Sequence, residues 1–123
     1  MKSIVTENAP KAIGPYSQGK ALQGLIFTSG QLPINPENGD IPEGIVAQAH
    51  QSIKNLKAVI EAGGGKMENV VKTLCFLSNM EDFVKFNEVY AEYFPSNPAR
   101  SCVAVKTIPK NCLVELEAIC TIE

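Results

Sequence analysis

The sequence predicts an α+β fold, in which a single mixed β-sheet carries two helices packed on one face. Two stretches place apolar residues at helical spacing, residues 43–62 and residues from about 79 to 94. Five short runs are typical of strands, and they lie at residues 17–22, 25–29, 70–77, 101–106 and 113–121. The order is therefore two strands, helix, strand, helix, two strands, and residues 1–123 are expected to form one domain.

The first half combines a hairpin with a long helix. Gln23 and Gly24 fit a tight turn between the first two strands. Residues 31–40 contain two prolines and an Asn-Gly pair, so a loop is expected there. The helix that follows ends at three consecutive glycines, residues 63–65, because glycine readily adopts the conformation of a helix C-terminus.

The second half alternates strand and helix before a final strand pair. Strand 70–77 is almost continuously apolar. Ser78 and Glu81 fit a capping box that would open the second helix, and Pro95 and Pro98 would prevent its continuation. Residues 109–111 form a turn between the last two strands. Apolar residues on both faces of the strands suggest that subunits pack sheet against sheet.

Composition and charge exclude several classes of function. A net charge of −2 provides no basic surface for nucleic acid. No apolar run approaches the roughly 20 residues of a membrane span, and the N-terminus lacks the pattern of a secretory signal. The four cysteines form no CxxC pair and there is one histidine, so neither a metal site nor a disulfide is expected. These features predict a cytoplasmic protein, with Cys112 as its most exposed thiol.

Arg100 is the most informative single residue. It is the only arginine in the chain, and it directly precedes an apolar run predicted to be a buried strand. A planar guanidinium can bind a carboxylate through two parallel hydrogen bonds, which a lysine ammonium cannot do. The alternative is an ordinary surface arginine after a loop.

Two carboxylates lie in the last strand. Because side chains alternate along a strand, Glu115 and Glu117 share one face between apolar neighbours. Arg100, expected at the start of the adjacent strand, is a natural partner for one of them. Either this strand has a solvated face, or one glutamate orients a water molecule.

Other candidate residues are individually ambiguous. Tyr16 follows a turn and could line a pocket or cap the core. Gly30 ends a strand where a backbone N–H could approach a ligand. Cys102 has no histidine placed to activate it, so a structural role with a useful backbone N–H is favoured over nucleophilic catalysis. His50, beside the apolar stripe of the first helix, is interpreted as structural.

Five segments occurring in order closely resemble the reactive intermediate deaminase A family (RidA, also called YjgF) over essentially the whole chain. They are IGPYSQ at 13–18, FTSGQ at 27–31, DF at 82–83 with NEVY at 87–90, PARSCV at 98–103 and VELEAI at 114–119. The resemblance implies a homotrimer with a fold like that of the Bacillus-type chorismate mutase, with its sites in clefts between subunits.

The resemblance also implies an activity and residue roles. The activity is hydrolysis of enamine and imine acids (2-aminoacrylate and 2-aminocrotonate, as 2-iminopropanoate and 2-iminobutanoate) to 2-oxo acids and ammonia, without metal or organic cofactor. Pyridoxal-phosphate-dependent dehydratases would release these substrates. Arg100 would bind the substrate carboxylate and Glu115 would position the attacking water. The substrate-binding positions carried over are Tyr16, Gly30, Phe83, Asn87 and Cys102.

Three other functions remain open at this point. The same pocket could serve a regulatory or protective trimer that binds 2-oxo acids without turnover. A chorismate mutase would need more than one positive group around its dicarboxylate, and the chain has one arginine. A ribonuclease or translation inhibitor is least favoured by the net charge and the single histidine.

Overall fold

The computed structural model describes residues 1–122, which form one six-stranded sheet and two α-helices. The strands are β1 Lys2–Ile4, β2 Gly19–Leu22, β3 Leu25–Thr28, β4 Val70–Leu77, β5 Ala99–Ala104 and β6 Val114–Thr121. The helices are α1 Ile45–Ala62 and α2 Phe83–Tyr93, and short 3₁₀ turns occupy Met67–Asn69, Met80–Asp82 and Pro109–Asn111. Neither helix in this part of the chain is long and apolar enough to cross a membrane.

The strand order is β1-β2-β3-β6-β4-β5. Every neighbouring pair is antiparallel except β4 and β5, which are parallel because α2 carries the chain back across the sheet between them. The prediction of one mixed sheet with two helices is therefore confirmed. The expectation that Arg100 lies on the strand next to β6 is wrong, since β4 separates β5 from β6.

The two faces of the sheet have different environments. Alternate residues of β6 are fully buried on the face that carries the helices, and they are Val114, Leu116, Ala118 and Cys120. The residues between them are only half-buried and point to the opposite face. Helix α1 packs on β6 and also on α2, so both helices cover one face and the other is open.

The start of α2 differs from the predicted capping box. The Ser78 backbone N–H donates to the carbonyl of Leu113 at 3.1 Å, so Ser78 still continues the sheet and lies before the first helical turn. The Asn79 side chain accepts instead from the backbone N–H of Glu81 at 2.9 Å. A 3₁₀ turn then leads into the helix at Phe83.

Three further expectations need correction. Strand β1 was not predicted, because its three residues are too few to show alternation. Strand β5 begins at Ala99 rather than 101 and is a half-buried to exposed edge strand, so Arg100 lies inside it and does not precede a buried strand. Cys112 is buried, not exposed, because the tight turn with positive φ at Lys110 and Asn111 returns the chain to the core.

A buried amide attaches the loop of residues 31–40 to helix α1. The Asn55 side-chain N–H₂ group donates to the carbonyls of Leu32 and Ile34, each at 2.9 Å. Its carbonyl oxygen accepts from the Gln51 side chain at 2.9 Å. Because this loop directly follows Gly30, Asn55 helps to fix the end of β3.

We expect Asn55→Ala to lower the free energy of unfolding by about 1–3 kcal/mol, because the carbonyls of Leu32 and Ile34 would lose the amide group that donates hydrogen bonds to them. Asn8→Ala, which removes an exposed amide whose side chain makes no hydrogen bond within residues 1–122, is the matched control and should change it by less than about 0.5 kcal/mol. Chemical denaturation measures both variants. Equal stability of the two variants would contradict the structural role of Asn55.

Candidate active site

Arg100 lies on the helix-covered face of the sheet, at its edge. It is in register with Thr73 of β4, which is fully buried beneath α2. One guanidinium nitrogen, Nη1, donates to Oδ1 of Asn87 at 2.7 Å. The guanidinium carbon lies 5.5 Å from the ring centre of Phe83 and 4.7 Å from that of Tyr90. We call Arg100, Phe83, Asn87 and Tyr90 the arginine cluster.

The arginine cluster supports the cation without neutralising it. Within residues 1–122 the guanidinium makes one hydrogen bond, and its partner is the neutral amide of Asn87. The aromatic rings attract a cation through their negative faces and hold it weakly. The other N–H groups of the guanidinium are thus available for a planar carboxylate.

Cys102 points to the same face as Arg100, two residues further along β5. It is in register with the buried Cys75. Burial raises the pKa of Cys102, and the nearby Arg100 charge only partly opposes this. A protonated thiol is a poor nucleophile, so the environment favours the structural interpretation of Cys102. Among residues 1–122, no group of three or more His, Cys, Asp or Glu side chains is placed to hold a metal ion.

Glu115 lies on the opposite, open face of the sheet, close to Gly30. A Cβ atom built at Gly30 would lie 2.6 Å from Oε2 of Glu115, so a larger residue would displace the carboxylate. Burial raises the pKa of Glu115, and the like charge of Glu117 raises it further. We call Gly30, Glu115 and Glu117 the carboxylate cluster. A carboxylate of raised pKa is better suited to accept a proton from water.

The two clusters do not meet within one chain. Arg100 pairs with Thr73 and Glu115 pairs with Phe76, and β4 lies between them. Two strand spacings across and three residues along the sheet separate their Cα atoms by about 14 Å, and their side chains point to opposite faces. The expected pairing of Arg100 with a glutamate is therefore wrong within the protomer.

Tyr16 contributes to neither cluster in the protomer. It lies in the loop before β2, where its backbone N–H donates to the carbonyl of Gly14 at 2.8 Å. Its ring is half-exposed and lines a groove with Ile4, Lys11 and Glu37. The sequence-predicted site residues thus fall into three places: the arginine face, the carboxylate face and the N-terminal loop.

Two residues near Arg100 were missed as members of the site. They are Tyr90 on α2, an aromatic residue of a kind typical of a helix core, and Thr73 on β4, a β-branched residue typical of any strand. Tyr90 does face inward, but its ring also lies under the guanidinium. The signal was present in the sequence, because residues spaced by four and three, Phe83, Asn87 and Tyr90, share one helix face.

Comparison with known proteins gives a consistent result. Residues 6–122 match the family described as endoribonuclease L-PSP. The 2-iminobutanoate/2-iminopropanoate deaminase of Escherichia coli K12 is 48% identical, covering 96% of this chain and 95% of the relative. A Lactococcus lactis protein named as a regulator, AldR, is 46% identical over 100% of this chain and 99% of its own length.

The fold is also that of a solved relative. The crystal structure of Escherichia coli TdcF with bound serine is 41% identical and superposes with a TM-score of 0.96, covering 100% of both chains. The family match spans nearly the whole chain, and the resemblance seen in the five sequence segments is confirmed. The chain belongs to the endoribonuclease L-PSP family, which is the YjgF/RidA family.

Proposed function

We propose that this protein hydrolyses 2-imino acids, formed from 2-aminoacrylate or 2-aminocrotonate, to 2-oxo acids and ammonia. The observation that carries the proposal is the Arg100 guanidinium, held by a neutral amide and aromatic rings and available for a carboxylate. The deaminase name of the Escherichia coli relative supports the same activity. Bound serine in the TdcF structure supports a small ligand bearing a carboxylate.

The site would form between copies of the chain. Arg100 and Glu115 lie on opposite faces of one sheet, so a substrate can contact both only if a second subunit supplies one of them. The open face also carries exposed or half-buried apolar side chains, including Phe27 and Phe76, which a neighbouring sheet would cover. A homotrimer with the chorismate mutase-like arrangement satisfies both requirements. Tyr16 would join the site from the adjacent subunit.

The reaction needs few groups. Arg100 binds the carboxylate and fixes the imine carbon near a water molecule held by Glu115. Water adds to the C=N bond, and Glu115 accepts its proton. Glu115 gives this proton to the imine nitrogen, which completes the carbinolamine. As the carbinolamine collapses, its hydroxyl proton passes through Glu115 to the leaving nitrogen, the C=O bond forms and the C–N bond breaks, and ammonia and the 2-oxo acid depart. Backbone groups at Gly30 and Cys102 would hold the ligand, with Phe83 beside it and Asn87 orienting Arg100.

The physiological setting follows from the substrates. Imine acids hydrolyse readily in water, so the protein must meet them near their source. Pyridoxal-phosphate-dependent dehydratases acting on serine or threonine release such intermediates, and a functional link to them in the cytoplasm is part of this proposal.

A second function, binding of 2-oxo acids by a regulatory trimer without turnover, is supported by the relative named as a regulator. The same guanidinium would hold the ligand. Turnover in the first experiment below separates the two functions.

We expect Arg100→Ala to lower kcat/KM by at least about a hundredfold, because two charge-assisted hydrogen bonds to the substrate are lost. Arg100→Lys keeps the charge without the paired geometry and should recover only part of this loss. A coupled assay, in which a threonine dehydratase generates the imine and 2-oxobutanoate formation is followed, measures both. Acceleration by the wild type and equally by Arg100→Ala would contradict the proposed role of Arg100, whereas wild-type binding of 2-oxobutanoate without acceleration would favour the regulator.

The pH dependence of kcat/KM should report the ionisation of Glu115. Its activity as a base requires ionisation and is lost as the pH falls through its raised pKa. Glu117→Gln removes the like charge, so the pKa of Glu115 falls and the acid limb moves to lower pH. Glu92→Gln, on the exposed side of α2, is the control and should leave the limb in place. An acid limb that does not move in Glu117→Gln would argue against Glu115 as the titrating base.

Mixed oligomers test whether one site draws on two subunits. Arg100→Ala and Glu115→Gln should each be nearly inactive alone. The unseparated population from an equal mixture should regain about a quarter of wild-type activity. Isolated mixed trimers should regain about a third, because one of their three interfaces pairs an intact Arg100 with an intact Glu115 from the neighbour. Co-expression with two affinity tags isolates the mixed species. Mixed trimers without recovered activity would mean that both residues act from the same chain.

A further inference from the structure

The Tyr90 hydroxyl lies 2.7 Å from Oγ1 of Thr73, and both groups are buried. Thr73 is also the cross-strand neighbour of Arg100, on the face covered by α2. One hydrogen bond therefore links the ring beneath the guanidinium to the strand beside it. Phe94 stacks on the same ring at 4.1 Å between centres, which further restricts its movement.

We propose that Tyr90 and Thr73 are positioning residues, whose hydrogen bond fixes the ring on which the Arg100 guanidinium lies and so sets its orientation for a carboxylate. This inference rests on the proposed role of Arg100 and deepens it.

The arrangement explains why a tyrosine suits this position. Asn87 binds the guanidinium at one nitrogen only, so the guanidinium could still rotate about that hydrogen bond. The flat ring 4.7 Å from the guanidinium carbon restricts that rotation, provided the ring itself cannot turn. A phenylalanine would supply the same ring without the bond to Thr73. Burial keeps the pKa of Tyr90 above its usual value, so the hydroxyl stays protonated at neutral pH.

Tyr93, three residues after Tyr90 on α2, offers a matched control. The Tyr93 hydroxyl lies 2.8 Å from Nδ1 of His50, in a contact between α2 and α1 that does not involve Arg100. Tyr93→Phe therefore makes the same chemical change on the same helix. Any effect on Arg100 that Tyr90→Phe shows and Tyr93→Phe lacks comes from position and not from general weakening of α2.

Because Arg100 is the only arginine, its Nε–H group gives a single side-chain signal in nitrogen NMR of the whole protein. We expect Tyr90→Phe and Thr73→Val each to lower the order parameter of this group and to weaken binding of 2-oxobutanoate, the product of the proposed reaction, by about 3- to 10-fold in calorimetry. The double variant should be no weaker than the poorer single variant, because both changes break the same bond. Tyr93→Phe should match the wild type.

Two outcomes separate this inference from the proposed function. Thermal melting first shows that Tyr90→Phe and Thr73→Val are folded. If both variants then have the same Arg100 order parameter and the same affinity for 2-oxobutanoate as Tyr93→Phe, the positioning role is wrong even if the enzyme is active. If the signal loses order in both variants while the wild type shows no turnover, the positioning role stands and the proposed deaminase activity fails.

Discussion

The alternation of side chains along the strands is the constraint on which the rest of this structure depends. Helices cover only one face of the sheet, so each strand residue is assigned either to the core or to the open face. On β6 this period places Glu115 opposite the core, and on β5 it places Arg100 beneath α2. No rotamer change can reverse either assignment. Chemistry that uses both residues must therefore take place between copies of the chain.

The same constraint gives the two clusters complementary electrostatic properties. The arginine cluster carries a cation with neutral supports, and the carboxylate cluster carries two like charges, with burial raising the pKa of Glu115. Each is unfavourable alone, because a partly buried charge without an opposite partner loses hydration. Bringing the two faces together would offset both costs. Bound substrate would lie between the two charges, with its carboxylate on the Arg100 side.

Much of the fold could be predicted from the sequence, because strong periodicity defines long elements such as α1 and β6. The site residues on α2, β5 and β6 could be selected by residue type and resemblance. Their arrangement could not be predicted, since sheet order depends on the parallel crossover that inserts β4 between Arg100 and Glu115. Tyr90 was not selected as a site residue for a related reason: an inward-facing aromatic residue on an amphipathic helix is usually core, and only the position of β5 shows that its ring also supports a cation.

The environment of each reactive side chain favours water as the nucleophile. Burial raises the pKa of the Cys102 thiol and keeps it protonated, and the lone histidine, His50, is engaged with Tyr93 in the contact between α1 and α2. Glu115 is left as the ionisable group suited to proton transfer, and the absence of a side chain at Gly30 lets its carboxylate lie against the backbone. The proposed imine substrate reacts readily with water, so orientation of its carboxylate and of one water molecule would account for the catalysis required. For the proposed reaction, one arginine, one base and a glycine backbone would be chemically sufficient.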